Sequence, residues 1–187
     1  MNDNEFTQNP NNLSKYLEQL VSTTQGAKVA LCEHEGGPAD GMPLMMWITE
    51  EHGLAVCAMP MPDADGISMP EIIDYGLRKA FVDMGKPMYG AFIGEALVRR
   101  TSDTQEVVNH QRGDLQRSFQ KDPMSVSECL TILAFDGAGE MRHACVTYKY
   151  NDFGMPEFDE PLYQEEKPQG AIAETVDDFF EVFVRGW

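Results

Sequence analysis

The sequence predicts an α+β fold: a mostly antiparallel sheet of about five or six strands carrying about three packed helices, with a long insertion near residues 99–126. Three observations predict it. Apolar residues recur at helical spacing in widely separated stretches. Between them lie short apolar runs broken by glycine- and acid-rich turns, as in hairpins. No repeated βαβ unit and no internal repeat appears along the chain. With 187 residues, 42% of them hydrophobic, there is material for an ordinary core, and residues 1–187 are expected to form a single acidic domain.

The elements follow in order. Leu13, Tyr16, Leu17, Leu20 and Val21 repeat at i, i+3, i+4, i+7 and i+8 with Asn11 or Asn12 placed to cap, which predicts a helix over about 12–22. "KVALCEHE", Lys28 to Glu35, reads as a strand. "MPLMMWIT" and "LAVCAMP" flank the polar turn "EEHG" as a hairpin. A second helix over about 69–84 has start and stop signals: Ser68 and Glu71 stand at capping-box spacing, Ile73, Leu77, Ala80, Phe81 and Met84 line one side, and Gly85 then Pro87 end it. "PMYGAFIGEALV" is apolar on both alternations, as a central strand is, and its Gly90 and Gly94 permit close approach of another backbone. "VSECLTILAF" and "MRHACVTYKY" form a second hairpin around "DGAGE", in a register that pairs Phe135 with Met141 and Glu128 with Tyr148. Last, Ile172, Val176, Phe179, Phe180 and Phe183 make a stripe for a helix over about 172–184, with acids early and Arg185 late, as the helix dipole prefers.

Charge narrows the function classes. There are 14 basic against 31 acidic residues, a formal charge of −17, which repels phosphate backbones and anionic membranes, so direct nucleic-acid binding and membrane association are not expected. From Val29 to Leu77 there are nine carboxylates and no lysine or arginine. Arg99, Arg100, Arg112, Arg117 and Lys121 lie within one segment that holds only three acids, so the chain is electrically polarised. The longest apolar runs are far short of the roughly 20 residues that cross a bilayer, and the polar N-terminus lacks a cationic leader. The expected setting is the cytoplasm, where Cys32, Cys57, Cys129 and Cys145, all in strand-like apolar surroundings, would stay reduced.

The stretch "LCEHEGGPADG" raises the question of a metal loop. If Lys28 to Glu35 is a strand, Cys32 and His34 point the same way, and with Cys129, His143 and Cys145 they would suit tetrahedral zinc chemically. The spacing lacks any C-x-x-C or H-E-x-x-H unit, and small thiols in strands are ordinary core residues, so no metal and no cofactor is expected. "GGPADG" lacks the Lys and Ser/Thr of a phosphate loop, and "PDADG" at 62–66 departs from a calcium loop at its third ligand position and in its glycine.

Glu95 and Glu128 each interrupt an apolar strand, where a carboxylate must be paired, hydrogen-bonded or protonated. Two such acids on adjacent strands can serve as an acid/base pair with separated pKa values. The favoured reading is a static network, with Glu95 meeting Arg99, Arg142 or a tyrosine hydroxyl. The connection from 99 to 126 is too long for a structural link, which makes it a binding arm, a lid or an excursion.

The run from Phe81 to Tyr150, with "GAFIGEALV", "SECLTILAFDGAGE" and then "YNDFGMPEF", resembles small uncharacterised proteins of phage and bacterial genomes, which carry a Glu-Ala step, a strand, a glycine turn and a closing strand. The resemblance implies a prokaryotic or viral origin and brings no activity with it. The functional expectation is a non-enzymatic acidic interaction protein, a phage or mobile-element factor that engages a basic, nucleic-acid-binding partner surface through Glu50, Glu51, Asp63, Asp65, Asp177 and Asp178. The alternatives are a small enzyme using Glu95 and Glu128 or the Cys/His set, and a virion or assembly component that self-associates through Arg99, Arg100, Arg112, Arg117 and Lys121.

Overall fold

The computed structural model describes residues 13–39, 41, 44–49, 53–58, 68–99, 126–164 and 166–183. It is an α+β fold: one antiparallel sheet with helices packed on both faces. The order is α1 (Leu13–Glu35), β1 (Leu44–Thr49), β2 (Gly53–Ala58), α2 (Met69–Met84), β3 (Tyr89–Arg99), β4 (Val126–Asp136), β5 (Met141–Tyr150), β6 (Pro156–Phe158), β7 (Leu162–Gln164) and α3 (Ala171–Phe183). Across the sheet the strands run β2-β1-β3-β4-β5-β6, with β7 also pairing β5, and every pairing is antiparallel.

Strand alternation sorts the core into two clusters. Ile48, Tyr89, Ala91, Ile93, Leu130, Ile132, Ala134, Ala144, Val146 and Tyr148 face α1, which buries Leu13, Tyr16, Leu17, Leu20 and Val21 against them. On the opposite face Met45, Trp47, Phe92, Leu133, Phe135 and Met141 meet Ile72, Ile73, Leu77 and Ala80 of α2 and Val176, Phe179 and Phe180 of α3. Trp47 is wholly buried and satisfies its indole N–H on the Gly85 carbonyl at 3.1 Å, which ties β1 to the end of α2.

Sequence signals account for most of these elements. The Glu71 carboxylate accepts hydrogen bonds from both the N–H and the hydroxyl of Ser68, each at 2.7 Å, and the Gly85 N–H closes α2 on the Phe81 carbonyl. The second hairpin has the expected register, Phe135 opposite Met141 and Glu128 opposite Tyr148. Gly90 does permit close approach, but of a ring: a β-carbon there would lie 2.1 Å from the Phe135 ring. The C-terminal stripe buries Val176, Phe179 and Phe180 as expected, in a helix that begins at Ala171.

One expectation is corrected. Lys28 to Glu35 is not a strand; it is the second half of α1, which runs 23 residues. The buried stripe continues through Thr24, Lys28 and Cys32 at i+4 steps, so helical burial wins over the local alternation of "KVALCEHE". Beyond β5 the chain adds two three-residue strands, β6 and β7, too short to carry a periodic signal, which complete the expected antiparallel sheet at seven strands among the described residues. The expected insertion falls on residues 100–125, outside the described residues.

Candidate functional site

The extension of α1 changes which residues meet. A strand at 28–35 would have had its own place in the sheet, whereas the helix lays Lys28 across the face that carries Glu95, Glu128, Tyr148 and Tyr150. Glu95 lies on that face because it follows Ala91 and Ile93 at steps of two along β3; Glu128 does so on β4 ahead of Leu130, and Tyr148 and Tyr150 close β5 after Val146. The two glutamates therefore stand on adjacent strands on one face, at the end of the sheet where the chain leaves β3 and re-enters β4.

Lys28 is buried, and its ammonium is fully engaged. It donates to Glu95 Oε1 at 2.5 Å and to the Ala39 carbonyl, and lies 5.2 Å and 5.7 Å from the ring centres of Tyr148 and Tyr150. The other Glu95 oxygen accepts the Gly41 N–H at 2.8 Å, and the Tyr150 hydroxyl donates to Ala39 at 3.2 Å. The turn after β5 closes the same corner. Gly154, at φ +74°, sits so near the α1 tail that a β-carbon on it would lie 2.8 Å from Pro38 Cδ. One buried cation thus clasps the loop after α1 to β3 and β5.

The electrostatics follow from that geometry. Burial on its own would lower the Lys28 pKa, but hydrogen bonds with Glu95 and Tyr150 outweigh it and hold the ammonium above its usual range. Burial, then the Glu95 charge and a hydrogen bond to Glu128, push the Tyr148 hydroxyl well above its own. A lysine held charged and shielded is a poor nucleophile. Glu95 is ion-paired and hydrogen-bonded, as a carboxylate in an apolar strand must be, but through a cation other than those expected. Its partner is Lys28; Arg142 instead lies 3.8 Å from Glu140 and donates to the Met141 carbonyl.

The Cys/His set is divided by the sheet. Cys32 is buried under α1, while His34, two residues further round the helix, is exposed, so the shared direction expected of a strand is lost. Cys129, His143 and Cys145 lie on the other face of β4 and β5. Cys129 and Cys145 form a small buried cluster of their own, in which the neighbouring sulfur and then burial push the Cys129 thiol far above its usual range. Among the described residues His143 Nδ1 is buried without a hydrogen-bond partner; burial lowers the imidazole pKa, and a hydrogen bond with Gln164 offsets part of the effect. Among the described residues no group of three His, Cys, Asp or Glu side chains could hold a metal ion.

Of the acids named for binding, Asp178 is exposed on α3 and Asp177 is ion-paired with Lys167. Glu50, Glu51, Asp63 and Asp65 lie outside the described residues, as do Arg100, Arg112, Arg117 and Lys121, and Arg99 is the last residue of β3. No helix among the described residues is long and apolar enough to cross a membrane. Sequence reasoning missed Lys28; it offered a tyrosine hydroxyl beside Glu95 and set Tyr148 opposite Glu128, but did not single out Tyr148 or Tyr150 as members of the site. The signal for Lys28 was its place four residues after Thr24 and four before Cys32 on a continuing stripe. No family model matches this chain, and no match was found among curated proteins or among solved structures.

Proposed function

We propose that this chain is a non-enzymatic acidic interaction protein that engages a basic protein surface of the kind that otherwise binds nucleic acid. The observation that carries this reading is how its charges are spent. Lys28 faces Glu95, Arg78 faces Asp74 at 2.7 Å, Lys79 faces Asp83 at 3.0 Å, Arg142 faces Glu140 and Lys167 faces Asp177. Glu33, Glu35, Asp152, Glu157, Glu160, Glu166, Glu174 and Asp178 are all exposed. Lys86 and Lys149 are exposed as well, but exposed carboxylates outnumber them among the described residues, and such carboxylates raise encounter rates with a basic partner. The free, buried thiols of Cys32, Cys129 and Cys145 suit a reducing cytoplasm, and the resemblance of residues 81–150 suits a phage or mobile-element setting.

The test replaces acids by amides in separate clusters, Glu50 with Glu51, Asp63 with Asp65, and Glu174 with Asp178, and measures capture of basic proteins from a host lysate at low and physiological salt. Glu174 stands in for Asp177 so that the pair with Lys167 stays intact. The expected result is salt-sensitive capture lost from one cluster, since exposed charge pairs are screened over about 8–10 Å. Equal small losses from every cluster would reduce the charge to a solubility device and overturn the reading.

A further inference from the structure

Two thiols meet across the hairpin of β4 and β5. Cys129 stands opposite Thr147 and Cys145 opposite Thr131, so the cysteines are diagonal neighbours on the face away from α1. They pack on each other, apart from both main core clusters. Cys32, on α1, is as fully buried as Cys129 yet lies on the other side of the sheet from both. The pair is asymmetric. Cys129 is sealed from water, whereas Cys145 keeps 6% of its surface exposed. The Cys129 S–H donates to the Leu130 carbonyl at 3.3 Å, which keeps its proton in place. The Cys129 thiol beside it holds Cys145 below the usual thiol range in spite of burial, and the Thr131 hydroxyl adds to the effect. His143, two residues before Cys145 in the same row, is pushed by burial toward its neutral form and supplies no counter-charge. The two sulfurs and Thr131 therefore set the reactivity.

We propose that Cys145 and Cys129 form a peroxide-reactive dithiol, in which Cys145 is the site of oxidation and Cys129 closes the product into an intramolecular disulfide. A thiol that ionises readily beside one that stays protonated is the arrangement of a nucleophile and its resolving partner. The Cys145 thiolate attacks one oxygen of hydrogen peroxide, the O–O bond breaks, and the departing hydroxide takes up the thiol proton as water. Cys145 is then a sulfenic acid. The Cys129 sulfur attacks the Cys145 sulfur, the S–O bond breaks, and the hydroxyl leaves as a second water with the Cys129 proton. The two thiols lose two electrons, and the peroxide gains them. Diagonal neighbours stand about 7–8 Å apart, just past the usual span of a disulfide, so the bond must draw β4 and β5 together locally and is more easily reduced for it. It is a reversible mark that a dithiol reductant removes by exchange.

The test treats the purified, reduced protein at low concentration and neutral pH with hydrogen peroxide, both folded and in urea, and maps every cysteine by mass spectrometry. The expected result is a Cys129–Cys145 disulfide that forms about tenfold faster in the folded protein than in the unfolded chain, whose thiols ionise at the ordinary value, while Cys32 stays reduced. Dithiothreitol should restore both thiols. In Cys129→Ser the sulfenic acid is expected to persist on Cys145, where dimedone traps it, and in Cys145→Ser the Cys129 thiol should survive. A pair that oxidises no faster folded than unfolded would overturn the proposal. So would a Cys145 that passes to the sulfinic acid with Cys129 untouched, or a Cys129 that oxidises first. The wild-type map alone decides among these outcomes, so a serine variant that fails to fold leaves the test intact.

Discussion

At the scale of single residues, the clasp around Lys28 turns on unequal access to water. The Lys28 side chain is 2% exposed and that of Glu95 21%. Glu95→Leu leaves a buried ammonium without its counter-charge and is expected to cost about 3–5 kcal/mol. Lys28→Met should cost less, because Glu95 can turn to solvent, and the double variant should recover much of the Glu95→Leu loss. Urea unfolding of the three variants measures this; equal single losses would mean that the two groups are equally sealed. The pH response follows from the same residues. The Lys28 pKa is raised in the folded protein, so its contribution is complete below the unfolded value of about 10.4 and is lost as pH rises through the folded value. Tyr148, raised mainly by burial, acts in the same direction because the folded state disfavours its phenolate. The melting temperature should therefore hold to about pH 10 and fall above it, less steeply in Lys28→Met than in the wild type.

At the scale of elements, α1 shows where sequence reading succeeds and where it stops. Its first half was legible because Leu13, Tyr16, Leu17, Leu20 and Val21 are apolar; its second half buries Thr24, Lys28 and Cys32, whose polarity hides the same stripe. Gly26 added an apparent break between them. It is exposed, and a β-carbon on it would meet nothing within 4 Å. Gly26→Ala is therefore expected to stabilise the protein by about 0.5–1 kcal/mol in thermal or urea unfolding, whereas a chain that turned from helix to strand there would gain nothing. The site was legible to the same extent. Glu95 and Glu128 stood out as acids in apolar strands, and the Glu128–Tyr148 pairing follows from the loop length, but the cation came from a segment assigned to the wrong kind of element. The strands β6 and β7 depend on pairing with β5 and had no local signal to read.

At the scale of the whole molecule, the sheet is packed between α1 on one face and α2 with α3 on the other, under a net charge of −17. Like charges held close together in the compact state repel one another more than in the unfolded chain. Raising ionic strength from about 0.01 to 0.15 M shortens the screening length from about 30 to 8 Å and should raise the melting temperature, in the opposite sense to its effect on partner capture. A calorimetric series in sodium chloride tests it; a melting temperature that falls with salt would mean that the surface ion pairs outweigh the repulsion.

The clasp also has a place in time. Lys28 reaches Glu95 across 67 positions of sequence and Tyr150 reaches Ala39 across 111, so each contact must close a long loop and is expected to form late. Interactions that close after the folding barrier change the unfolding rate and leave the refolding rate nearly untouched. Stopped-flow measurements on Glu95→Gln and Tyr150→Phe should accordingly move the unfolding arm alone, and a slowed refolding arm would place the clasp in the folding nucleus. On that expectation Lys28 would do little to guide the chain into its native state and would instead govern how long the protein stays there.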